Sequence, residues 1–330
     1  MPAIDNAENV LVIIDHNLQM EELVNNLKNT IKACAILCAT CIQLFSLGDA
    51  LAAEIERAHT HHVGNIEVIL LPEMENESSS DLLIGADEAM LKEYLPGGLY
   101  QSAVNVFLIR NGDKNILVDT GFGKNLFRHL ENFGAKPEDI NAVLITHMHG
   151  DHIGGLLKDE QAAFPNANVY IAEQEIAYWG NLEEMGRQPE NRQGGFKNAQ
   201  NVLAALTDKL QAFSPTPLQT FFNDEPLELL PGIYPVAAFG HTPGHTAFLL
   251  KSLDQQILIW GDLTHAMAIQ MPVPQIALTY DVDPQMAINT RLQILEYISN
   301  ANIPVAGMHI PQSGMGTLTA KDTSYIFTYF

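Results

Sequence analysis

Cysteine is scarce in this chain, and all three cysteines lie in one short segment. They are Cys34, Cys38 and Cys41, inside the apolar run from Ala33 to Leu47. Basic residues are also few, since 17 Lys and Arg stand against 39 Asp and Glu and leave a formal net charge of −22. Because such an acidic surface repels phosphate backbones, we expect no nucleic-acid partner.

No apolar run in the sequence reaches the length of a membrane span, which needs about 20 residues. The run at Ala33 to Leu47 follows Lys28 and Lys32 and precedes the small-residue pattern at 50–52. Basic, apolar and small residues in that order are typical of a secretory signal. Residues 28–52 therefore predict a signal peptide and a periplasmic or secreted protein, with a buried helix as the alternative.

Residues 1–27 form an upstream extension whose status the sequence leaves open. If this segment is translated and blocks export, the protein is expected in the cytoplasm. If cleavage follows Ala52, the remaining chain has no cysteine and needs neither disulfides nor a reducing compartment. That remaining chain keeps a strongly acidic charge, so the argument against nucleic acid is unchanged.

A dense group of metal-ligand residues follows the apolar run 142–146. Residues 147–152 read H-x-H-x-D-H. Because side chains alternate along an extended segment, His147 and His149 point the same way and can share one ion. Asp151 and His152 are adjacent and cannot both follow that direction, so a second ion is the economical interpretation. These residue types suit zinc and its neighbours, and a polar loop with incidental histidines is the alternative.

Three later positions offer further ligands, each at a strand end beside Gly or Pro. In His241-Thr242-Pro243-Gly244-His245, the Pro-Gly turn would present His245 sharply, so we favour His245 over His241. Asp262 follows an apolar strand and Gly261, where a carboxylate is costly to bury unless it is paired or bound to metal. His309 also ends an apolar run, although a lone histidine there would more often be structural.

The remaining pattern predicts sheets covered by helices, because short apolar strands alternate with helical segments. Residues 66–71, 104–110 and 116–118 read as strands, and the turn residues 111–114 join the last two as a hairpin. Residues 284–299 predict a helix, with Pro284 early and apolar residues at helical spacing.

Polar segments predict less regular structure. Residues 53–65 read as a leading arm in which His59, His61 and His62 belong to a solvated linker. Residues 73–82 indicate a surface loop. Residues 181–200 indicate an exposed insertion or lid, and residues 201–213 a helix.

Over residues 66–330 this sequence resembles the metallo-β-lactamase superfamily. The resemblance is carried by four elements in order: H-x-H-x-D-H at 147–152, T-P-G-H-T at 242–246, Gly261-Asp262, and a late strand-end His309. This resemblance implies a hydrolase domain of mixed α/β (α+β) class whose fold is an αββα sandwich: two mixed sheets face to face, helices outside, and a dinuclear metal site at one edge. The ligand sets it implies are His147, His149 and His245 for one metal, Asp151, His152 and His309 for the other, and Asp262 as the bridge. Asp119 would orient a ligand imidazole, with a simple turn aspartate as the alternative.

The segment Gly261 to Gln270, together with 280–283 and 309–311, is similar to the branch that holds methyl parathion hydrolase and related lactonases or arylesterases. Many acyl-homoserine lactonases have Tyr three residues after the bridging Asp, whereas this chain has His265, which argues against homoserine lactones. His265 is predicted to hydrogen-bond a substrate oxygen or to help protonate the leaving group, with a packing role as the alternative. Phe122, Trp179 and Phe239 are candidates for an apolar pocket or for the core.

The resemblance implies a metal-dependent hydrolase of esters or lactones, with phosphotriesters as a side activity. Two divalent ions, zinc first with Mn, Fe, Co and Ni left open, would share a bridging hydroxide that attacks the carbonyl. Asp151 or Asp262 would pass the proton to the leaving group with help from His265, so these three residues are the catalytic candidates. The sequence has no G-x-S-x-G motif, so a serine nucleophile is not expected.

Two other functions share parts of this pattern. A glyoxalase II-type thioesterase would use the same ligands but needs basic groups to bind the glutathione carboxylates. A non-catalytic periplasmic metal-binding protein would lack an open coordination position and a pocket. The expected partner is a small ester or lactone substrate, with no nucleic acid and no stable membrane span, and a homodimer stays open by analogy with the branch.

Overall fold

The computed structural model describes residues 59–224 and 226–330. The upstream extension, the predicted signal peptide with its three cysteines, and residues 53–58 lie outside the described residues. In the part that is described, no helix combines the length and the apolar character that crossing a membrane requires.

The described chain alternates short strands and helices. The strands are β1 Thr60–Val63, β2 Ile66–Ser79, β3 Leu83–Ile84, β4 Leu99–Asn111, β5 Lys114–Val118, β6 Ile140–Leu144, β7 Leu157–Lys158, β8 Gln161–Ala162, β9 Asn168–Ala172, β10 Leu210–Phe213, β11 Ile233–Ala237, β12 Thr246–Ser252, β13 Gln255–Ile259, β14 Ala277–Leu278, β15 Val305–Ala306, β16 Met315–Lys321 and β17 Ser324–Tyr329. The α-helices are α1 Glu88–Tyr94, α2 Leu126–Asn132, α3 Gly150–Ile153, α4 Glu173–Trp179, α5 Leu182–Arg187, α6 Glu190–Ala205, α7 Leu218–Asn223, α8 Met267–Gln270 and α9 Pro284–Asn300.

Two mixed sheets form the centre of the domain. The first has seven strands in the order β1-β2-β4-β5-β6-β9-β10, and the second has six in the order β11-β12-β13-β15-β16-β17. In the first sheet, β5, β6, β9 and β10 pair in parallel, and in the second sheet β13 and β15 do so. The other pairs in both sheets are antiparallel. This is the arrangement expected for two facing sheets with helical crossovers.

Three apolar clusters define four layers. One cluster lies between the sheets and joins Val68 and Phe107 of the first sheet to Phe248 and Ile257 of the second. A second covers the outer face of the first sheet with residues from α2 and α6, and a third covers the second sheet with Ile294 and its neighbours on α9. Burial of the apolar stripe on each helix stabilises the packing of the helices on the two sheets. The predicted αββα sandwich is confirmed.

Several local predictions are confirmed. The hairpin joins β4 to β5 with Asn111 paired to Lys114, and Gly112 supplies the positive φ of 61° that the turn requires. The predicted helix 284–299 is α9, whose N-cap Asp283 accepts a hydrogen bond from Met286 N at 2.9 Å.

Three local predictions are wrong. The surface loop predicted at residues 73–82 is instead mostly strand, since β2 continues through Ser79 and pairs with β4. Acidic side chains alternate there with inward-facing ones, so the segment has the period of a strand although it is polar. The leading arm contains β1, which pairs with β2 at the sheet edge. The predicted helix at residues 201–213 is instead the end of α6 followed by β10. Most of residues 181–200, predicted as an exposed insertion or lid, lies in α5 and α6.

Candidate metal centre

The predicted ligands come from strand ends that meet at one edge of the sandwich. β6 leads into the H-x-H-x-D-H loop, and β13 and β15 lead to Asp262 and His309. β12 is antiparallel to β13, so the loop before β12, which carries His241, reaches the same edge. The fold therefore brings together residues that are far apart in the sequence.

Five imidazoles surround one carboxylate oxygen, Asp262 Oδ2. The Nε2 atoms lie 3.0 Å from it for His265 and His309, 3.3 Å for His152 and His241, and 3.5 Å for His147. One carboxylate oxygen cannot accept hydrogen bonds from five donors in good geometry. Several of these nitrogens therefore direct their lone pairs toward the space around Asp262 Oδ2, which is the arrangement of ligands around a cation.

His149 completes a group of nitrogens that face one another. Its Nδ1 atom lies 2.9 Å from His147 Nε2 and 3.0 Å from His241 Nε2. Nitrogens that bind one zinc tetrahedrally at about 2.1 Å would lie about 3.4 Å apart, so only a small adjustment separates this group from a coordination shell. Burial first, and then His241, lowers the pKa of His149 to about 3, so its lone pair is free at neutral pH.

Three buried atoms of the cluster have no hydrogen-bond partner among the described residues. They are His152 Nε2, Asp262 Oδ1 and His265 Nδ1. Buried polar atoms are nearly always satisfied, so an orphaned donor or acceptor calls for a ligand. The donor set of imidazole and carboxylate fits divalent cations such as zinc.

Oxygen acceptors fix the opposite side of three of these rings. His152 Nδ1 lies 2.6 Å from Asp119 Oδ2, His241 Nδ1 lies 2.8 Å from Asp281 Oδ1, and His309 Nδ1 lies 2.6 Å from the Ala103 carbonyl. Such contacts place the hydrogen on Nδ1 and direct the Nε2 lone pair toward a metal.

Asp119 contacts the His152 imidazole, which is the geometry that the predicted orienting role requires. Besides His152, it accepts hydrogen bonds from Thr146 N at 2.8 Å and from Thr146 Oγ1 at 2.7 Å. Burial raises the pKa of this carboxyl, and the contacts with His152 and Thr146 oppose that shift. Its φ of 61° is a strained conformation for a non-glycine residue, of the kind found at functional sites.

The side chains gather into three groups that could each hold an ion, with ligand atoms within 4.8 Å of one another. The groups are His147, His149, His241 and Asp262; Asp151, His152 and His309; and Asp262, His265 and His309. The second is the set that the resemblance implies, and Asp262 lies where a bridging ligand would. Metal binding by these groups stays a prediction.

The structure favours His241 over His245 as a ligand, because His241 lies in one of these groups and His245 lies in none of them. Both nitrogens of His245 are occupied by the backbone: Nε2 accepts from Asp262 N at 2.9 Å, and Nδ1 donates to the Ala238 carbonyl at 2.7 Å. A Cβ at Gly261, whose φ is 61°, would collide with His245 Nε2. His245 therefore positions the strand end that carries Asp262.

Glu175 is a buried carboxylate that the sequence analysis missed. Its Oε2 accepts hydrogen bonds from Met148 N at 2.9 Å and from Trp179 Nε1 at 2.7 Å, and its Oε1 accepts from Gly244 N at 2.8 Å. It thereby ties the H-x-H-x-D-H loop to the loop that carries His241. A glutamate in an otherwise ordinary helix gives no signal of this role in the sequence.

A cavity of about 360 Å³ opens onto the centre. Phe122 lines it, as predicted for a pocket aromatic, whereas Trp179 belongs to the core and packs its ring 5.4 Å from that of His149. Phe239 is not among the residues that line this cavity. The opening gives a small molecule access to Asp151, His149 and His265.

Comparisons with known proteins give the family of this chain. The family model described as the metallo-beta-lactamase superfamily matches residues 99–299. A probable metallo-hydrolase of Mycobacterium tuberculosis is 26% identical over 183 residues, or 48% of this chain and 56% of its own length. The anti-Pycsar protein Apyc1 of a Paenibacillus species is 28% identical over 55% of this chain and 66% of its own length. The chain thus spans little more than half the length of the first of these relatives.

Solved structures cover more of the chain. A crystal structure of the hydrolase AbOPH of the beta lactamase superfamily has a TM-score of 0.71 at 26% identity and covers 83% of this chain and 98% of its own. AidC, a dizinc quorum-quenching lactonase in complex with a product, has a TM-score of 0.72 at 24% identity and covers 82% and 96%, which shows the shared fold. With its family model matched over more than half of its length, this chain belongs to the metallo-β-lactamase superfamily.

Proposed function

We propose that this chain is a metal-dependent hydrolase of small, uncharged esters or lactones. The observation that supports it most directly is the cavity that opens onto the histidine and aspartate cluster. A protein that only stored metal would have no need of such a cavity beside its ligands. The likeness to a hydrolase and to a lactonase agrees with the proposal.

His147, His149, His241 and Asp262 would hold one cation, and Asp151, His152 and His309 would hold the other. When bound, such cations lower the pKa of a water molecule toward neutrality and polarise a carbonyl group. The identity of the metals, with zinc proposed first, rests on the donor set.

Asp151 is the more exposed of the two carboxylates that line the cavity. Its side chain is 24% exposed, whereas that of Asp262 is 2% exposed. Asp151 therefore is the better placed of the two to hold a proton and return it to the leaving group. His265 Nε2 lies 3.0 Å from Asp262 Oδ2, so we propose that His265 steadies this carboxylate and exchanges a proton with it.

The lining of the cavity disfavours anionic substrates. Its described residues include no lysine and no arginine, while Asp151 and Asp262 are both present. A glutathione thioester carries carboxylates that would need basic partners. The thioesterase alternative is therefore weaker than an uncharged ester or lactone.

Metal content and turnover by one purified preparation would test the proposal. We expect about two metals per chain and hydrolysis of lactones or aryl esters from a panel that also holds a β-lactam, S-lactoylglutathione and methyl parathion. His149→Ala should abolish turnover without loss of fold, and His62→Ala, at an exposed histidine, is the matched control. Full activity of His149→Ala, or thioester turnover alone, would refute the proposal.

A further inference from the structure

One wall of the cavity is a ladder of cross-strand pairs between β2 and β4. The register pairs Met74 with Val104, Asn76 with Ser102, and Ser78 with Tyr100. All six residues line the cavity. Side chains two apart on a strand share one face, so the three pairs stand side by side, about 7 Å from one to the next.

The ladder begins beside the metal centre. The Ala103 carbonyl accepts the hydrogen bond from His309 Nδ1 at 2.6 Å, which places Ser102 next to a proposed ligand. β4 runs antiparallel to β5, whose end carries Asp119, so positions 104 to 100 lie progressively farther beyond that end. The ladder therefore changes from an apolar pair to two polar pairs as it extends away from the sheet.

The polar pairs have hydrogen-bonding capacity to spare. Asn76 Nδ2 donates to Ser78 Oγ at 2.9 Å, and the Tyr100 hydroxyl also contacts Ser78. Within the described chain, the Asn76 amide oxygen makes no hydrogen bond. Ser102 is only 5% exposed, and its side chain lines the cavity. A hydroxyl that lines a cavity can both donate a hydrogen bond to a ligand and accept one from it.

These groups carry no charge at neutral pH. Burial raises the pKa of Tyr100, so its phenol stays protonated, and serine and asparagine do not ionise in this range. Each offers both a donor and an acceptor. An amide or a hydroxyl matches such a wall, whereas a carboxylate would meet it without a cationic partner.

We propose that Asn76, Ser102, Ser78 and Tyr100 form a subsite for an uncharged hydrogen-bonding group, an amide above all, carried by the substrate beside its scissile bond. This inference rests on the proposed ester or lactone hydrolysis. It makes β2 and β4, neither of which carries a proposed metal ligand, the strands that select the substrate.

Two phenyl esters with acyl chains of equal length test the subsite. Phenyl hexanoate has an alkyl chain, and the phenyl ester of N-acetyl-β-alanine has an amide in its place. We expect the metal-loaded enzyme to favour the amide ester about tenfold in kcat/KM, as one extra hydrogen bond would give. Ser102→Ala and Asn76→Leu should each reduce that ratio toward one, and Glu77→Gln, on the outward face of the same strand, should leave it unchanged.

The corresponding anilides hydrolyse far more slowly, so calorimetry can measure their binding. This separates the subsite from the proposed hydrolase function. If neither ester is hydrolysed but the amide-containing anilide binds more tightly than the alkyl one, and Ser102→Ala removes the difference, the subsite is supported and the proposed function fails. Equal kcat/KM and equal binding for both compounds would overturn the subsite. So would a preference that both variants retain.

Discussion

Asp281 Oδ1 lies 2.8 Å from His241 Nδ1, on the side of the ring opposite the metal centre. The same carboxylate accepts a hydrogen bond from Leu278 N at 2.8 Å, so its position is fixed by the backbone. His241 is therefore held as a ligand would be, whereas His245 has both of its nitrogens bound to the backbone. This difference separates two histidines that lie four positions apart.

His241→Ala and His245→Ala should have different effects. His241→Ala should reduce metal content by about one ion per chain and abolish turnover while the fold is kept. His245→Ala should lower the free energy of unfolding by about 1–3 kcal/mol, because Asp262 N and the Ala238 carbonyl each lose a partner. Elemental analysis and thermal unfolding of both variants would measure this, and equal metal loss without destabilisation in His245→Ala would contradict the assignment.

Asp119→Asn should weaken metal binding by about 10–100-fold, the usual effect of losing a partner that orients a ligand histidine. The substitution keeps the size of the side chain but removes the charge that holds the Nδ1 hydrogen of His152. Competition with a coloured chelator would measure the affinity. Asp113→Asn, in the exposed hairpin turn, is the control, and equal affinity in the two variants would rule out the orienting role.

Glu175→Gln should destabilise the protein by about 1–3 kcal/mol and also lower metal occupancy. The glutamate accepts hydrogen bonds from three donors, and a glutamine would turn its NH₂ group toward an N–H, which leaves donors unsatisfied. Chemical unfolding of the metal-free and the metal-loaded protein would separate the two effects. Glu190→Gln, at the exposed start of α6, should change neither quantity.

The stability of the metal-free protein should fall as pH rises from about 6.5 to 9. Burial lowers the pKa of His241, but the contacts with Asp262 and Asp281 outweigh it and raise the pKa to about 9. An imidazole whose folded-state pKa is raised stabilises the fold below the unfolded value of about 6.5, and this contribution is lost as pH rises through the folded value. Thermal unfolding across this range would show it.

Metal binding should release protons in the same range, because His241 must lose its proton to act as a ligand. Calorimetry in two buffers of different ionisation enthalpy would count the protons. A cation at about 100 times its Kd should stabilise the loaded protein by about 2.7 kcal/mol, and a chelator should reverse this. A melting temperature insensitive to chelator would contradict a metal centre in this cluster.

Arg291→Met should destabilise the protein by about 3 kcal/mol or more. The Arg291 side chain is 1% exposed and donates to the carbonyls of Leu263, Pro274 and Ile276, which belong to the loops on either side of His265. Methionine fills the space but removes the donor of the Leu263 and Pro274 carbonyls, while the Ile276 carbonyl keeps only its hydrogen bond from Gln270 Nε2. Urea unfolding would measure the loss, and Arg187→Met on exposed α5 should have little effect.

The sequence by itself determined the family and the sandwich architecture, and it predicted most of the side chains that the structure brings together at the candidate centre. Local spacing was sufficient for the H-x-H-x-D-H loop, because its ligands are neighbours in the chain. Asp262 was predicted because it follows an apolar strand, where a carboxylate is costly to bury without a partner. Asp119 and His309 became candidates through the resemblance to the family.

Only the tertiary structure decided between His241 and His245, because the distinction depends on which backbone groups reach each ring. The same holds for Glu175, whose three partners come from separate segments of the chain. β2 was missed beyond Leu71 because its solvent-facing acidic residues conceal the inward face of Met74, Asn76 and Ser78, and only pairing with β4 fixes that face. Long-range packing, which no local pattern encodes, places these side chains around one cavity.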